Sequence, residues 1–258
     1  MMKQSGILLA GKKIFLVLLL LCSSVFAGQI NVAVAANVSY AMDKLIAEFN
    51  KTNPDTKIQV TLGSSGKLVA QIKNGAPYNI FMSANMGFPQ SLYEEQIAIT
   101  KPIVYAQGAL AILSSKELDF SKGINIIKDN SIEKIAIANP KTAPYGAATM
   151  EAIKNAGLEE ATKGKFVYAE SASSTVGYII TAANIGFIPK SSLFDENLVQ
   201  FKENKNWISV DKKLYKAIEQ GIVIINNAKD NAEVKSFYDF ILSAKAKKIF
   251  TDYGYIVE

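Results

Sequence analysis

The sequence predicts an α/β protein of two lobes with a ligand cleft between them, and three observations carry this. Short apolar strands alternate with amphipathic helices in both halves of the chain, a pattern that implies a parallel sheet with right-handed crossovers. Four strand-to-helix junctions are small and polar, at 36–39, 63–66, 144–146 and 171–174, two in each half. The 231 residues from Gly28 to Glu258 suffice for two compact cores. In open α/β sheets ligands bind beyond the carboxyl ends of the strands, where such junctions lie.

The elements follow in order. Residues 30–36 form a strand of small apolar residues. A helix follows with Val38, Met42, Leu45, Ile46 and Phe49 at helical spacing, and Asn37 stands at its N-cap position. Residues 57–62 form the next strand, which runs through Gly63-Ser-Ser-Gly66 into a helix with Leu68, Val69 and Ile72 on one face. Gly75 and Pro77 stop that helix. Residues 79–82 are a buried strand, followed by a helix over 88–94.

The second half repeats the pattern. Strands are expected at 108–113, 134–138, 165–168, 185–189 and 221–226, with helices at about 147–155 and 175–184. Two terminal helices carry Val234, Phe237, Tyr238 and Ile241, then Ile249, Phe250 and Tyr253. Trp207, Phe81 and Phe187 are expected in the core.

The first 27 residues read as a secretory signal: Lys3, Lys12 and Lys13, an apolar run from Ile14 to Leu21, and small residues at Val25 and Ala27 ahead of the cleavage point. The run is well short of the roughly 20 residues a membrane span needs. Cys22 raises a lipoprotein alternative, but Leu21 stands where a small residue is expected before a lipidated cysteine. The remaining chain holds no cysteine and no disulfide.

Absences narrow the chemistry. The formal charge is +5, but three lysines lie in the leader, so 25 lysines face 23 acids beyond it, or +2. No block of like charge suggests nucleic acid. The sequence has no histidine, which excludes imidazole acid–base catalysis and metal sites of the His/Cys type. It has no arginine either, so guanidinium forks cannot grip a carboxylate or phosphate. An anion bound here must be held by backbone amides, hydroxyls, side-chain amides or lysine.

The 63–66 junction suits that role. It aims free backbone N–H groups and the positive end of a helix dipole at the loop, and Ser64 and Ser65 add hydroxyl donors. The blander reading of Asn37 and Ser39 is helix capping, and it yields only to the coincidence of four such loops. Ser64-Ser-Gly-Lys67 also fits Ser-x-x-Lys, so an exported serine hydrolase using Ser64 or Ser65 with Lys67 is the alternative of another class. Its companion Ser-Asp-Asn and Lys-Thr-Gly elements are absent, and no histidine exists to activate a serine. Tyr93, Tyr105 and Tyr145 raise ferric-ion binding through phenolates, which needs adjacent tyrosines plus acidic or imidazole ligands.

Residues 34–39 (Val-Ala-Ala-Asn-Val-Ser), 63–68 (Gly-Ser-Ser-Gly-Lys-Leu), 75–84 (Gly-Ala-Pro-Tyr-Asn-Ile-Phe-Met-Ser-Ala) and 138–146 (Ala-Asn-Pro-Lys-Thr-Ala-Pro-Tyr-Gly), with 237–241 and 250–255, resemble the molybdate-binding proteins of bacterial ABC importers. The likeness spans the chain beyond the leader, in order. It implies a two-lobed periplasmic binding protein of the class with two strand crossovers. Lobe one would comprise 28–107 and 222–258, and lobe two 108–221, with hinge strands near 103–106 and 216–222.

The resemblance also implies a tetrahedral oxyanion ligand, molybdate or tungstate, delivered to a membrane permease by a periplasmic monomer without cofactor or catalysis. Sulfate or phosphate is the alternative within the binding class. The metal would enter only as the oxyanion, with no protein ligand on molybdenum or tungsten. Carried over residue by residue, the anion contacts fall on Asn37, Ser65, Tyr145 and Ser171, with Ala36, Val38, Ser64 and Ala172 beside them. Asn37 stands where many members have serine, and Tyr145, expected to give its amide, where others have alanine. Pro189 replaces a tyrosine common after the Gly-Phe-Ile strand, which removes a hydroxyl donor.

Overall fold

A computed structural model describes residues 28–257; the leader, Cys22 and the cleavage point after Ala27 lie outside the described residues. Two five-stranded sheets organise the chain. The first contains β1 (Gln29–Ala35), β2 (Lys57–Gly63), β3 (Ile80–Met82), β4 (Ile103–Gly108) and β10 (Ile218–Ile224), in the order β2-β1-β3-β10-β4. The second contains β5 (Leu110–Leu113), β6 (Ile135–Ala138), β7 (Phe166–Ala169), β8 (Ile185–Pro189) and β9 (Trp207–Ser209), in the order β7-β6-β8-β5-β9.

Neither sheet is wholly parallel, which corrects the expectation from strand–helix alternation. In the first, β1, β2 and β3 are parallel, but β10 runs against β3 and β4. In the second, β6, β7 and β8 are parallel, while β5 runs against β8 and β9. The cause is the crossing of the chain between sheets. The predicted strand over 108–113 is in fact the last residue of β4 and the whole of β5, joined through Ala109, so one continuous segment serves both sheets. The segment β10 returns to the first sheet and slots between β3 and β4, with a bulge between Gln220 and Gly221. A strand delivered from the other sheet need not follow the direction that βαβ units impose.

Eight α-helices flank the described sheets: α1 (Ser39–Asn50), α2 (Ser65–Lys73), α3 (Gly87–Glu94), α4 (Pro144–Asn155), α5 (Glu159–Thr162), α6 (Ser174–Thr181), α7 (Ala232–Ile241) and α8 (Ala244–Asp252). The apolar stripe of α1 (Ala41, Met42, Leu45, Phe49) packs with α7 and α8 against one face of the first sheet. Phe237 meets Phe49 edge to face there, with ring centres 5.1 Å apart. Leu68, Val69 and Ile72 of α2 and Leu92 of α3 cover the other face together with Phe81. The second sheet is covered likewise, by Ala148, Ala152 and Ile153 of α4 on one side and Ile179 of α6 on the other. Phe187 is buried as expected, whereas Trp207 is only partly buried, because short β9 holds it at the sheet edge.

Candidate oxyanion-binding site

The register of the parallel strands gathers the four polar junctions. In the first sheet Ala35 pairs with Gly63 and Val34 with Met82, so the loops after β1, β2 and β3 leave the sheet side by side. In the second, Ala138 pairs with Ala169, which sets the loops after β6 and β7 together. The two groups of loops then meet. The Gly66 N–H donates to the Thr142 carbonyl at 2.9 Å, the Ser191 hydroxyl donates to the Asn37 carbonyl at 2.9 Å, and Lys67 pairs with Glu170 at 2.8 Å. Ala35 and Ala84 pack into the same apolar cluster as Tyr145, Ala148 and Ala172.

Helix starts point at this meeting place. Ser65 opens α2, Pro144 and Tyr145 open α4, and a single 3₁₀ turn over Ala36–Val38 precedes α1. First-turn N–H groups have no partner within their own helix, so each start offers amides and a positive dipole end. The structure allows α4 to begin so close to β6 because residue 146 is glycine: a Cβ there would lie 2.1 Å from the Ala138 carbonyl oxygen.

Each predicted residue has a definite place. Asn37 is buried but is no helix cap; its Nδ2 donates to Gln220 Oε1 at 2.8 Å and to Tyr255 Oη at 3.0 Å. Ala36 and Val38 are buried on either side of it. The Ser65 hydroxyl oxygen accepts the Ala84 N–H at 3.0 Å, which leaves its own proton to donate. Ser64 is buried with its hydroxyl unpartnered among the described residues. Tyr145 presents its backbone at the start of α4 while its ring turns inward, its hydroxyl 3.5 Å from Gln220 Nε2. Ser171 is tied into its own loop, since Ser174 Oγ accepts its N–H at 2.9 Å and its hydroxyl lies 3.0 Å from the same atom. Ala172, next in the chain, is buried against the apolar interface.

Five participants were not expected at the anion site: Thr142, Ser191, Gln220, Tyr105 and Tyr255. Thr142 Oγ1 is a second buried hydroxyl without a partner among the described residues. Tyr255 Oη donates to the Asn37 carbonyl at 2.7 Å, and Tyr105 Oη donates to Gln220 Oε1 at 2.9 Å. One signal was available for Gln220: it is a lone amide inside the otherwise apolar run from Ile218 to Ile225, interrupted elsewhere only by Glu219 and Gly221.

The site carries no net charge of its own. Every fully buried polar side chain among the described residues is a hydroxyl or an amide. Glu170 faces outward to Lys67 and is 67 % exposed. Burial drives the hydroxyl pKa values of Tyr105, Tyr145 and Tyr255 above the ordinary value of 10, so all three stay protonated. The serine-hydrolase alternative fails on this geometry, because Ser64 Oγ has no base beside it and the Lys67 ammonium is engaged by Glu170.

Residues 30–256 match the model of the family described as bacterial extracellular solute-binding protein. The molybdate-binding protein ModA of Azotobacter vinelandii is 32 % identical over 238 residues, covering 92 % of this chain and 93 % of that protein. ModA of Rhodobacter capsulatus is 31 % identical over 90 % of each chain. The solved periplasmic molybdate-binding protein of Azotobacter vinelandii superposes with a TM-score of 0.82, covering 89 % of this chain and 99 % of that one at 27 % identity. Two sheets flanked by helices, with loops that converge between them, are the architecture this chain shares with that solved solute-binding protein. The chain therefore belongs to the bacterial extracellular solute-binding protein family, together with these molybdate-binding relatives.

Proposed function

We propose that the protein captures molybdate or tungstate in the cleft between its two sheets and delivers it to the permease of an ABC importer. The observation that carries this is a pair of buried, unpartnered hydroxyls, Ser64 Oγ and Thr142 Oγ1, on loops joined by the Gly66–Thr142 hydrogen bond. Buried polar groups normally find partners, and these two are donors in need of an acceptor. A tetrahedral dianion offers four oxygens and no proton. It suits a cage of Ser64, Ser65 and Thr142 hydroxyls, Asn37, and the amides that open α1, α2 and α4. Ser171 is the weakest of the expected contacts, because its hydroxyl and N–H are spent on Ser174; the neighbouring Ala172 amide serves better.

Charge-assisted hydrogen bonds are worth roughly 1.5–3 kcal/mol each. About six of them give on the order of 10 kcal/mol, a sub-micromolar affinity. The larger tetrahedral oxyanions are distinguished from sulfate by cavity size and from protonated phosphate by the need of its proton for an acceptor. The relatives named molybdate-binding proteins support this ligand, and the similar substrate-binding domain of a putative molybdenum ABC transporter from Clostridium difficile supports a permease partner. The leader-like N-terminus supports export to the periplasm with cleavage after Ala27. We place the protein there as a monomer without cofactor.

Calorimetry with molybdate, tungstate, sulfate and phosphate tests the reading. The first two are expected to bind tightly and the others weakly; tight sulfate or phosphate binding without molybdate would replace the ligand. Closure is checked by small-angle scattering. Only a few polar links join the two groups of loops, and the Lys67–Glu170 pair among them is solvent-screened. The free protein should therefore open, and molybdate should shrink its radius of gyration.

The pH response follows from the neutral donors. Affinity is expected to stay flat from about pH 6 to about pH 9, because no group of the proposed cage titrates there. Stability should fall at acid pH, where the carboxyls of Glu48, Glu95, Asp119 and Asp129, held below their ordinary values by lysine and backbone partners, take up protons, and again at alkaline pH. The buried tyrosines bind their protons more tightly folded than unfolded, so their contribution is intact below about pH 10 and lost as pH rises beyond it. A pH series of thermal melts measures this.

A further inference from the structure

Asn37 is joined to the strand that connects the two sheets by a chain of uncharged groups, and the direction of its hydrogen bonds matters. Both N–H bonds of Asn37 Nδ2 are spent within the protein, on Gln220 Oε1 and Tyr255 Oη. Gln220 Oε1 also accepts from Tyr105 Oη, and Gln220 Nε2 lies 3.5 Å from Tyr145 Oη, a long contact. What remains over is Asn37 Oδ1, buried and without a partner among the described residues. In this arrangement the free end of Asn37 is an acceptor, which a dianion cannot use.

The same heavy atoms admit a second arrangement. A carboxamide keeps its shape when a half-turn about its last torsion exchanges nitrogen and oxygen. Suppose the Asn37 and Gln220 amides turn together. Gln220 Nε2 then gives one N–H to Asn37 Oδ1 and the other to Tyr105 Oη. The Tyr105 proton passes to the Ser83 carbonyl, already 3.3 Å away. Gln220 Oε1 accepts from Tyr145 Oη. The Tyr255 proton keeps its place on the Asn37 carbonyl. Every contact but one again sets a donor against an acceptor: Asn37 Oδ1 now faces Tyr255 Oη at 3.0 Å with no proton between them, a cost that the bound dianion must offset. Both N–H bonds of Asn37 stand free where the orphaned oxygen was.

We propose that Gln220 is a positioning residue for anion binding: it holds the Asn37 amide in one of two hydrogen-bond directions, and the arriving dianion selects the one in which Asn37 offers N–H. The inference rests on the oxyanion reading of the site. Only a residue carrying donor and acceptor on one end can satisfy Asn37 both ways. Glutamate offers acceptors and an added negative charge, and methionine offers neither. Gln220 sits at the bulge of β10, fully buried, so the strand itself fixes where its amide lies.

The test is a double-mutant cycle read by calorimetry with sodium molybdate on the full chain. Gln220→Met is expected to lower affinity roughly tenfold, the worth of one misdirected hydrogen bond, and Gln220→Glu by more. In the Asn37→Ala background Gln220→Met should change affinity less than twofold, because its action passes through Asn37. A merely structural role would give the same fold-loss in both backgrounds, and that result overturns the proposal. So does wild-type affinity in Gln220→Met. Should the variants not fold, the side-chain amide signals of Asn37 and Gln220 in the wild-type protein decide by NMR. Both should shift together on adding molybdate, and movement of Asn37 alone overturns the coupling. A wild-type protein that takes up neither molybdate nor tungstate overturns the site reading itself, and the inference falls with it.

Discussion

Replacing Ser65 by alanine is expected to weaken molybdate binding by about 1–3 kcal/mol, because a bound oxygen loses a donor that nothing nearby can supply. The same substitution strips the Ala84 N–H of its acceptor inside a buried loop, so the melting temperature should drop as well. Ser64→Ala and Thr142→Ala separate the two effects. Their hydroxyls have no partner among the described residues, so removing them should lower affinity while leaving stability unchanged or slightly raised. Asn37→Ala should also cost about 1–3 kcal/mol in affinity. Calorimetry beside thermal melts reads both quantities. Unchanged affinity in all four variants would remove the proposed cage.

Gly146→Ala is expected to be the most damaging single methyl group in the cleft. The added carbon would stand 2.1 Å from a backbone oxygen of β6, which has no flexible end to move aside. Either α4 shifts off the sheet or β6 bends, at a cost on the order of 1–3 kcal/mol or more. The start of α4 moves with it, so molybdate affinity should fall together with the urea midpoint. Gly177→Ala makes a control, since a Cβ there meets nothing within 4 Å. Full affinity and stability in Gly146→Ala would mean that α4 does not approach β6 as described.

What could be read from the sequence was local. Strand–helix alternation, the glycine and serine junction at 63–66 and the apolar faces of α1, α2, α7 and α8 follow from periodicities of two and 3.6. The helix-capping reading of Asn37 was equally local, and it did not survive. The side chain reaches Gln220, 183 positions away, and Tyr255, 218 positions away, and no window of sequence shows such partners. Thr142 gave no signal either, because a threonine in an Asn-Pro-Lys-Thr turn looks like any solvated loop residue until a second loop closes over it. The direction of β5 and β10 escaped for a related reason. Hydrophobicity marks a strand but says nothing about which sheet it joins, and a segment shared between sheets looks like one continuous run.

That sharing has a consequence for how the chain matures. All strands of the second sheet lie between Leu110 and Ser209, whereas the first sheet waits for β10, and the core beneath it waits for α7 and α8 near the carboxyl end. On the export route proposed above, a chain threaded through a membrane amino end first would present its earliest residues long before their companions arrive. The first sheet would then stay incomplete until almost the last residue had crossed, while the second could close in transit. Pulse-labelled hydrogen exchange during refolding should show amides of β6 and β8 protected ahead of those of β1 and β3.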